Sequence, residues 1–291
     1  MAINFEAVRN WVFPAICQDY TAKDSILYAL ALGYGGDPLS ESELSFVFEK
    51  NLQAVPTLAT TLCSPGFWIS DPRTGIDATR AVHGEHAIRM YAPLPAAGRL
   101  RGETRVTDII DKGKDKGALL IFERDLFDHD SDRLIASIEQ RTLCRGDGGF
   151  ALPDAAKDRK ALPAQAWSPA TAASEVVDNR SLPQSALIYR LCGDMNPLHA
   201  DPQVARSAGF ERPILHGLCT YGMAARAIIA ACCNNRAASL RSLSVRFAAP
   251  VFPGETLRTE IWRDAADLRF RCSVVERGVT VISNGMAVIT D

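Results

Sequence analysis

The chain has 291 residues, of which 47% are apolar, and a formal net charge of −2. This length and apolar content allow a large buried core and exclude a mainly disordered protein. A net charge near zero argues against nucleic acid as a partner, because neutralising phosphates requires clustered lysine and arginine.

The first twenty residues lack a basic start followed by an apolar run, so we expect no secretory signal. The longest apolar region, residues 214–233, contains His216 and Arg226, which are costly at the centre of a bilayer. This region therefore predicts a buried helix, and we expect no membrane association. None of the eight cysteines forms a C-x-x-C pair, which argues against a zinc ribbon and is typical of a reduced, cytoplasmic protein.

Two series of β-branched and apolar segments, separated by turn signals, predict strands in both halves of the chain. The first series covers residues 81–92, 100–111, 117–127 and 133–145, and the second covers 241–249, 255–263, 267–276 and 279–289. The stretch between them is rich in alanine and proline and has no sustained period. We therefore predict an N-terminal domain at 1–150, a linker at 151–174 and a C-terminal domain at 175–291.

The two halves also resemble each other. Tyr91–Gly98 and Phe247–Gly254 have the same length, and each runs from an aromatic residue through prolines to a glycine before a charged strand. The same offset places Asp37 within one residue of the position that Asp194 holds. We interpret this as a duplication in which each half has helical segments followed by about four strands, with one sheet wrapped on one helix. Chance similarity between two β-rich segments is the alternative.

The segment YRLCGDMNPLHADP, residues 189–202, places an acid, an amide and an imidazole at short spacings, in Asp194, Asn196 and His199. Its glycine and first proline predict a turn into a helix, in which Asp194 and His199 converge. Such a pair could hold one water between them and share its proton transfers. The structural alternative makes Asp194 an N-cap and His199 a helix-surface residue.

These residues resemble the MaoC-like, or hydratase 2, family. The family pattern is an aromatic residue, a short apolar step, G-D-x-N-P-apolar-H and a small residue six positions after the histidine, and Tyr189–Ala205 matches it throughout. PILHGLCTYG at 213–222 extends the resemblance, as do His83-Gly84-Glu85 and Asp111-Lys112-Gly113 in the first half. The resemblance implies an α+β double hot-dog fold, in which two tandem antiparallel sheets are each wrapped on a central helix and the first half is degenerate.

The resemblance implies an (R)-specific enoyl-CoA hydratase, equally a 3-hydroxyacyl-CoA dehydratase, of fatty-acid β-oxidation. This hydro-lyase adds water to trans-2-enoyl-CoA to give the (3R)-3-hydroxyacyl-CoA. Asp194 and His199 would carry the proton transfers, and which of them protonates C2 stays open. Asn196 would orient the loop or the water, and the resemblance assigns stabilisation of the enolate oxygen to the Gly217 amide, at a helix start.

Further residues are implied as substrate contacts: His83, Gly84, Lys112, Tyr189 and Phe247. His83 and Gly84 rest on the resemblance alone, Lys112 would either bind the CoA phosphates or lie on a solvated turn, and Phe247 is either core or a wall of the CoA site. We expect no metal, because His83 and His86 would point to opposite faces of a strand. We expect no cofactor, because CoA is part of the substrate.

Other functions remain open from the sequence. They are a dehydratase acting on (3R)-hydroxyacyl-ACP in fatty-acid or polyketide synthesis, a hot-dog thioesterase, and a non-catalytic acyl-thioester binding protein. The intact second-half motif argues against the last two. Cys192 is expected to pack rather than to act as a nucleophile, and the resemblance implies a homodimer.

The first half is expected to be inactive, because no histidine follows Asp37 at the required spacing. Its candidate central helix, residues 55–71, is interrupted by Pro65 and Gly66. A shortened helix would leave apolar room in the first sheet, and we expect that room to accept a medium or long acyl chain.

Overall fold

The computed structural model describes residues 3–150, 167–264 and 267–290. Most of the predicted linker lies outside these ranges. Its end, residues 167–174, runs along the second half, where Trp167 packs edge-on against Trp262 at 5.0 Å between ring centroids. The Trp262 indole N–H also donates to the carbonyl of Thr171 at 2.9 Å.

Within the described residues, ten strands form one antiparallel sheet. The first half contributes β1 Ile16–Tyr20, β2 Ala81–Met90, β3 Gly98–Asp111, β4 Ala118–Asp128 and β5 Leu134–Cys144. The second half contributes β6 Glu175–Arg180, β7 Leu240–Phe247, β8 Thr256–Asp264, β9 Asp267–Val274 and β10 Val279–Ile289. The eight predicted strands are confirmed, and the short outer strands β1 and β6 were not predicted because their mixed polar sequences carry a weak strand signal.

The strand order shows the duplication directly. The sheet runs β1-β3-β4-β5-β2-β7-β10-β9-β8-β6. Counted from the outer edge inward, the two halves have the same strand order, and they meet at the centre through β2 and β7. The junction is the antiparallel pairing of β2 with β7, in which Ile88 lies opposite Leu243. The predicted repeat is therefore present in the topology, and the fold is the expected α+β double hot-dog.

The helices lie before and between the strands. They are α1 Phe5–Arg9, α2 Ala22–Ala31, α3 Glu41–Val47, α4 Ser185–Tyr189, α5 Pro202–Ser207 and α6 Gly217–Cys232. None of the helices in the described part of the chain is long and apolar enough to cross a bilayer. All eight cysteines are free thiols.

Helix α6 is the central helix of the second half. Its small and apolar residues are buried against β6, β7 and β8, which confirms the buried helix predicted at 214–233. Gly222 lets α2 approach closely, because a Cβ there would lie 2.5 Å from a Leu32 methyl carbon. In the first half, the segment 55–71 forms two short 3₁₀ turns, Pro56–Thr60 and Trp68–Ser70, so its central helix is interrupted, as predicted.

Candidate active site

The segment around Asp194 folds into a series of tight turns. Gly193 has φ of 123°, a conformation that glycine adopts readily. The Asp194 carboxylate then accepts the amide of Asn196 at 3.1 Å, and the Asn196 side chain accepts the amide of Leu198 at 3.0 Å, capping the 3₁₀ turn Pro197–His199. These local bonds bring Asp194 and His199 together, as predicted, and they give Asn196 a loop-orienting position.

The alternative that made Asp194 a helix cap does not fit the structure. Asp201 caps α5, with its carboxylate accepting the amide of Gln203 at 2.7 Å. Asn196 caps the preceding turn. Only one oxygen of Asp194 is engaged by its local turn, so the carboxylate keeps acceptor capacity for a ligand.

His199 is held in one tautomer. The side chain is 8% exposed, and its Nδ1 lies 2.9 Å from the carbonyl oxygen of Ile214. A carbonyl only accepts hydrogen bonds, so Nδ1 carries the proton and Nε2 presents a lone pair. Burial lowers the pKa of His199, while the bond to Ile214 and the charge of Asp194 act in the opposite direction. The neutral imidazole is thus prepared to accept a proton at Nε2.

His216 completes the cluster and was not predicted to be a functional residue. Its Nε2 donates to the backbone carbonyl of Asp194 at 3.1 Å, and its ring stacks on that of His199 with centroids 3.7 Å apart. Burial, followed by the neighbouring His199, lowers its pKa to about 4. Its Nδ1 is buried and has no hydrogen-bond partner among the described residues. The sequence did contain a signal for this residue. The chain has only five histidines, and His216 directly precedes Gly217, the predicted donor to the enolate oxygen.

Asp194, His199 and His216 each offer a ligand atom within 4.8 Å of the others. Tetrahedral zinc would bring such atoms to about 3.3 Å from one another. The two imidazoles also lie nearly face to face, at 29°, with ring centroids 3.7 Å apart, so they do not converge on one point as tetrahedral ligands do. This arrangement fits a water held by acceptors better than a tetrahedral metal site.

Gly217 begins α6 immediately after His216. The first amides of a helix have no intrahelical acceptor, so the Gly217 N–H is available to an oxygen of a ligand. A Cβ at Gly217 would lie 3.4 Å from the ring of Phe247, so the absence of a side chain keeps this approach open. The structure places Phe247 beside the predicted donor, half-buried, at the edge of the core.

Tyr189 lies beneath the cluster. Its ring is 0% exposed and packs on His216 at 4.8 Å and on Tyr28 at 5.7 Å between centroids. The position is that of a support for His216, and the predicted contact with substrate stays a prediction. Cys192 is half-buried, and burial raises the pKa of its thiol to about 12, which suits packing rather than nucleophilic attack.

His83 reaches the site from the first half. Its ring packs against Phe247 at 5.0 Å, and the charge of Asp194 acts on its pKa, which burial lowers to about 4. The prediction that His83 and His86 point to opposite faces is wrong, because their rings are in contact and His83 Nε2 lies 3.2 Å from His86 Nδ1. A bulge at Gly84 shifts the register with β5 and turns both side chains to one face.

Lys112 lies on the exposed turn between β3 and β4, together with Lys114 and Lys116. In the sheet, β4 and β5 separate β3 from β2, which carries His83. The structure therefore does not bring Lys112 to the acid–base pair. A contact with the distant phosphates of CoA stays a prediction.

Asp37 occupies the matching place in the first half. Its carboxylate accepts the amide of Leu39 at 2.9 Å, which is the same local turn that Asp194 makes with Asn196. The side chain is exposed, and helix α3 follows it without a histidine. The first half thus keeps the turn and lacks the imidazole.

Comparison with known proteins identifies both halves. The family described as the MaoC like domain matches residues 157–285, and the MFE-2 hydratase 2 N-terminal domain matches residues 18–146. Enoyl-CoA hydratase ChsH3 of Mycobacterium tuberculosis is 36% identical over 99% of both chains. The 3-hydroxyacyl-thioester dehydratase Y of the same organism is 42% identical, over 84% of this chain and 82% of that protein.

A solved structure agrees with these matches. The crystal structure of a MaoC-like dehydratase from Phytophthora capsici superposes with a TM-score of 0.83 at 30% identity, and the match covers 99% of each chain. The sequence-based resemblance is confirmed: the chain belongs to the MaoC-like family, in its two-domain form with a hydratase 2 N-terminal domain.

Proposed function

We propose that this protein is an (R)-specific enoyl-CoA hydratase, a hydro-lyase that adds water to trans-2-enoyl-CoA and, in reverse, dehydrates the (3R)-3-hydroxyacyl-CoA. The observation that carries the proposal is the convergence of the Asp194 carboxylate with the free Nε2 of His199, next to the first amide of α6. The relatives named as enoyl-CoA hydratases support the same activity.

The geometry assigns the parts of the reaction. A water held between Asp194 and His199 loses a proton to Nε2 of His199 as its oxygen bonds to C3 of the enoyl group. The electron pair of the double bond moves toward the thioester oxygen, where the Gly217 N–H donates to the developing charge. The Asp194–His199 pair then passes the proton to C2, so the enzyme ends the turnover in its starting protonation state.

His216 acts on this pair without contacting the reacting carbons. Its hydrogen bond to the Asp194 carbonyl fixes the turn around Asp194, and stacking of its ring fixes the orientation of the His199 imidazole. Tyr189 in turn supports His216 from below. These contacts preorganise the acceptors of the water, which lowers the cost of reaching the transition state.

The acyl chain is proposed to enter the first half, on the concave face of its sheet, where short 3₁₀ turns, beginning with Pro56–Thr60, stand in place of a long helix. A separate cavity of about 220 Å³ lies between residues 52–56 and 237–241. It is near the C-terminal end of α6, roughly 24 Å from Gly217 given the rise of a 16-residue helix. The cavity also contacts Pro56, so it adjoins the turn that stands in place of the central helix.

The remaining expectations from the sequence are also proposals. No metal or redox cofactor is required, since hydration of a conjugated thioester is an acid–base reaction. We propose a homodimer, a cytoplasmic location and a role in β-oxidation; some relatives are named as peroxisomal. Light scattering of the purified protein measures the oligomeric state.

The direct test is hydration of crotonyl-CoA, followed by the loss of enoyl absorbance with a thiol reagent present. Loss of absorbance without free thiol supports a hydratase, and release of CoA indicates a thioesterase. Product analysis with a dehydrogenase specific for (3R)- or (3S)-3-hydroxyacyl-CoA gives the stereochemistry. Absence of turnover with crotonyl-CoA and with a longer enoyl-CoA contradicts the proposal.

A dehydratase acting on acyl-carrier-protein thioesters is the second candidate. The exposed lysines of the β3–β4 turn would suit the acidic surface of a carrier protein as well as the phosphates of CoA. The same assay with crotonyl-ACP separates the two, because a higher kcat/KM for the carrier-protein thioester than for crotonyl-CoA favours the second candidate.

A further inference from the structure

An arginine faces the interior of the first half. Along β4, alternate residues point to the concave face, and Ala118, Leu120, Phe122 and Leu126 are buried there. Arg124 occupies the same row and is 6% exposed. It is a charged residue at a position where its strand otherwise carries apolar side chains.

The charge of Arg124 is uncompensated. One terminal nitrogen, Nη2, donates to the carbonyl of Thr60 at 2.7 Å, and Nε is buried without a partner. Among the described residues, no carboxylate forms an ion pair with it. Burial lowers its pKa to about 10, so the guanidinium still carries its charge at neutral pH. A buried cation without an anion is unfavourable, and a ligand anion would relieve that cost.

A second unpartnered group lies nearby. His86 is 3% exposed, and its Nε2 is buried without a hydrogen-bond partner among the described residues. Its pKa is held well below the usual value by burial, then by His83, then by the charge of Arg124. His86 is therefore neutral and within the electrostatic reach of Arg124.

Polar side chains connect these groups to the active site. In the sheet, His83 lies opposite Thr142, His86 lies opposite Gln140, and Arg124 lies opposite Ile138. Gln140 donates to Thr142 at 3.2 Å, and Gln140 and His83 are both partly exposed. These side chains form a polar band that begins at His83, beside Phe247, and continues across the sheet toward Arg124.

The band has the length of an acyl chain. Two strand spacings of about 4.8 Å separate β2 from β4. Along the strands, the partners of His83 and Arg124 on β5 are Thr142 and Ile138, which are four residues apart. The Cα atoms of His83 and Arg124 are therefore roughly 16 Å apart. The band also separates two apolar clusters, one containing Leu126 and Ile138 and the other containing Leu120 and Phe122. An acyl chain that lies along it would have apolar walls and a cation at its far end.

We infer that Arg124 and His86 form a subsite for a carboxylate at the distal end of the acyl group. The inference rests on the proposed hydratase function and adds its substrate class: trans-2-enoyl-CoA thioesters of medium length that carry a terminal carboxylate. Arg124 would pair with the carboxylate through its guanidinium, as arginine does with planar anions, and His86 would donate from Nε2 once its proton is on that nitrogen.

The test compares medium-chain enoyl-CoA substrates of equal length that end in a methyl, a hydroxymethyl or a carboxylate group. We expect wild-type kcat/KM for the carboxylate substrate to exceed that for the methyl substrate by about tenfold or more, as one charge-assisted pair would provide. Arg124→Gln should remove this preference. Arg105→Gln is the matched control, since Arg105 lies exposed on the neighbouring strand and pairs with Glu123 and Asp125.

The outcomes separate the two proposals. If wild-type protein hydrates crotonyl-CoA and prefers the methyl or hydroxymethyl substrate, the carboxylate subsite is wrong and the hydratase proposal stands. If crotonyl-CoA is not hydrated, the hydratase proposal fails. Binding supplies a readout without turnover: a saturated acyl-CoA with a terminal carboxylate should raise the Tm of wild-type protein more than its methyl counterpart does. Equal shifts overturn the subsite even where Arg124→Gln does not fold.

Discussion

The imidazoles of His199 and His216 lie face to face, with ring centroids 3.7 Å apart and an interplanar angle of 29°. Each ring donates one N–H to a backbone carbonyl, so neither can turn without losing a buried hydrogen bond. Two stacked rings at this distance also resist being charged together. The pair therefore favours the neutral state in which His199 can accept a proton from water.

Removal of either acid–base side chain should abolish most of the activity. Asp194→Asn and His199→Ala are each expected to lower kcat by about a hundredfold or more while the fold is kept, because both groups act on one water. The double variant should be little worse than either single variant. Asp201→Asn is the control, because asparagine also caps α5. Near-normal turnover in a folded Asp194 or His199 variant contradicts the assignment.

The pH dependence of kcat/KM should reflect the lowered pKa of His199. The neutral imidazole is the active form, and burial moves its pKa below the usual value of about 6.5. Activity should therefore persist as the pH falls to 6.5 and be lost below that point. An acidic limb centred above pH 7 in the free enzyme would show that His199 is not the base, or that its environment raises the pKa.

Acid should also destabilise the fold through His83 and His216. The pKa values of His83 and His216 are lowered from 6.5 to about 4, so the unfolded chain binds more protons than the folded chain between these values. The free energy of unfolding should fall as the pH decreases from 6.5 toward 4, by at most about 3 kcal/mol for each histidine. Urea unfolding measures this slope, and it should be smaller in His83→Gln.

The first half should not catalyse the reaction. Asp37 keeps the local turn of Asp194 and lacks a following histidine, so Asp37→Asn should leave kcat unchanged. One active site per chain is the expected stoichiometry with a tight-binding product analogue. A large loss of kcat on this substitution would instead assign chemistry to the first half.

The β3–β4 turn provides the test of CoA binding. Lys112→Ala should raise KM for CoA thioesters at low salt and leave kcat nearly unchanged, since the phosphates are bound equally in the ground and transition states. The difference should shrink at high salt. Lys50→Ala, at another exposed position, is the control. An unchanged KM at low salt would leave Lys112 as a solvated side chain.

Much of the fold was predictable because its signals are local. The eight long strands lie within two residues of their predicted bounds, since each combines apolar alternation with flanking turn residues. The same holds for the motif around Asp194, whose turns are made by bonds two residues apart. Gly193 and Pro197 were enough to predict a turn in which the acid and the imidazole converge.

What could not be predicted depends on contacts between distant residues. The bulge at Gly84 reverses the side-chain alternation on β2, and nothing in the spacing of His83 and His86 reveals it. His216 acquires its place from a bond to the Asp194 carbonyl, which forms only when the intervening loop closes. Arg124 lies next to Glu123 and Asp125 in the sequence, and nothing there distinguishes it from an ordinary surface residue. Only the structure shows that it occupies the buried face of β4.

The pairing of β2 with β7 has a consequence for any attempt to separate the halves. The outer edges of the sheet are the short strands β1 and β6, which offer little backbone for unwanted pairing. Each inner edge strand is longer and is covered only by the other half of the same chain. An isolated half would expose a row of free amides and carbonyls along that edge, and it would satisfy them by associating with another copy of itself.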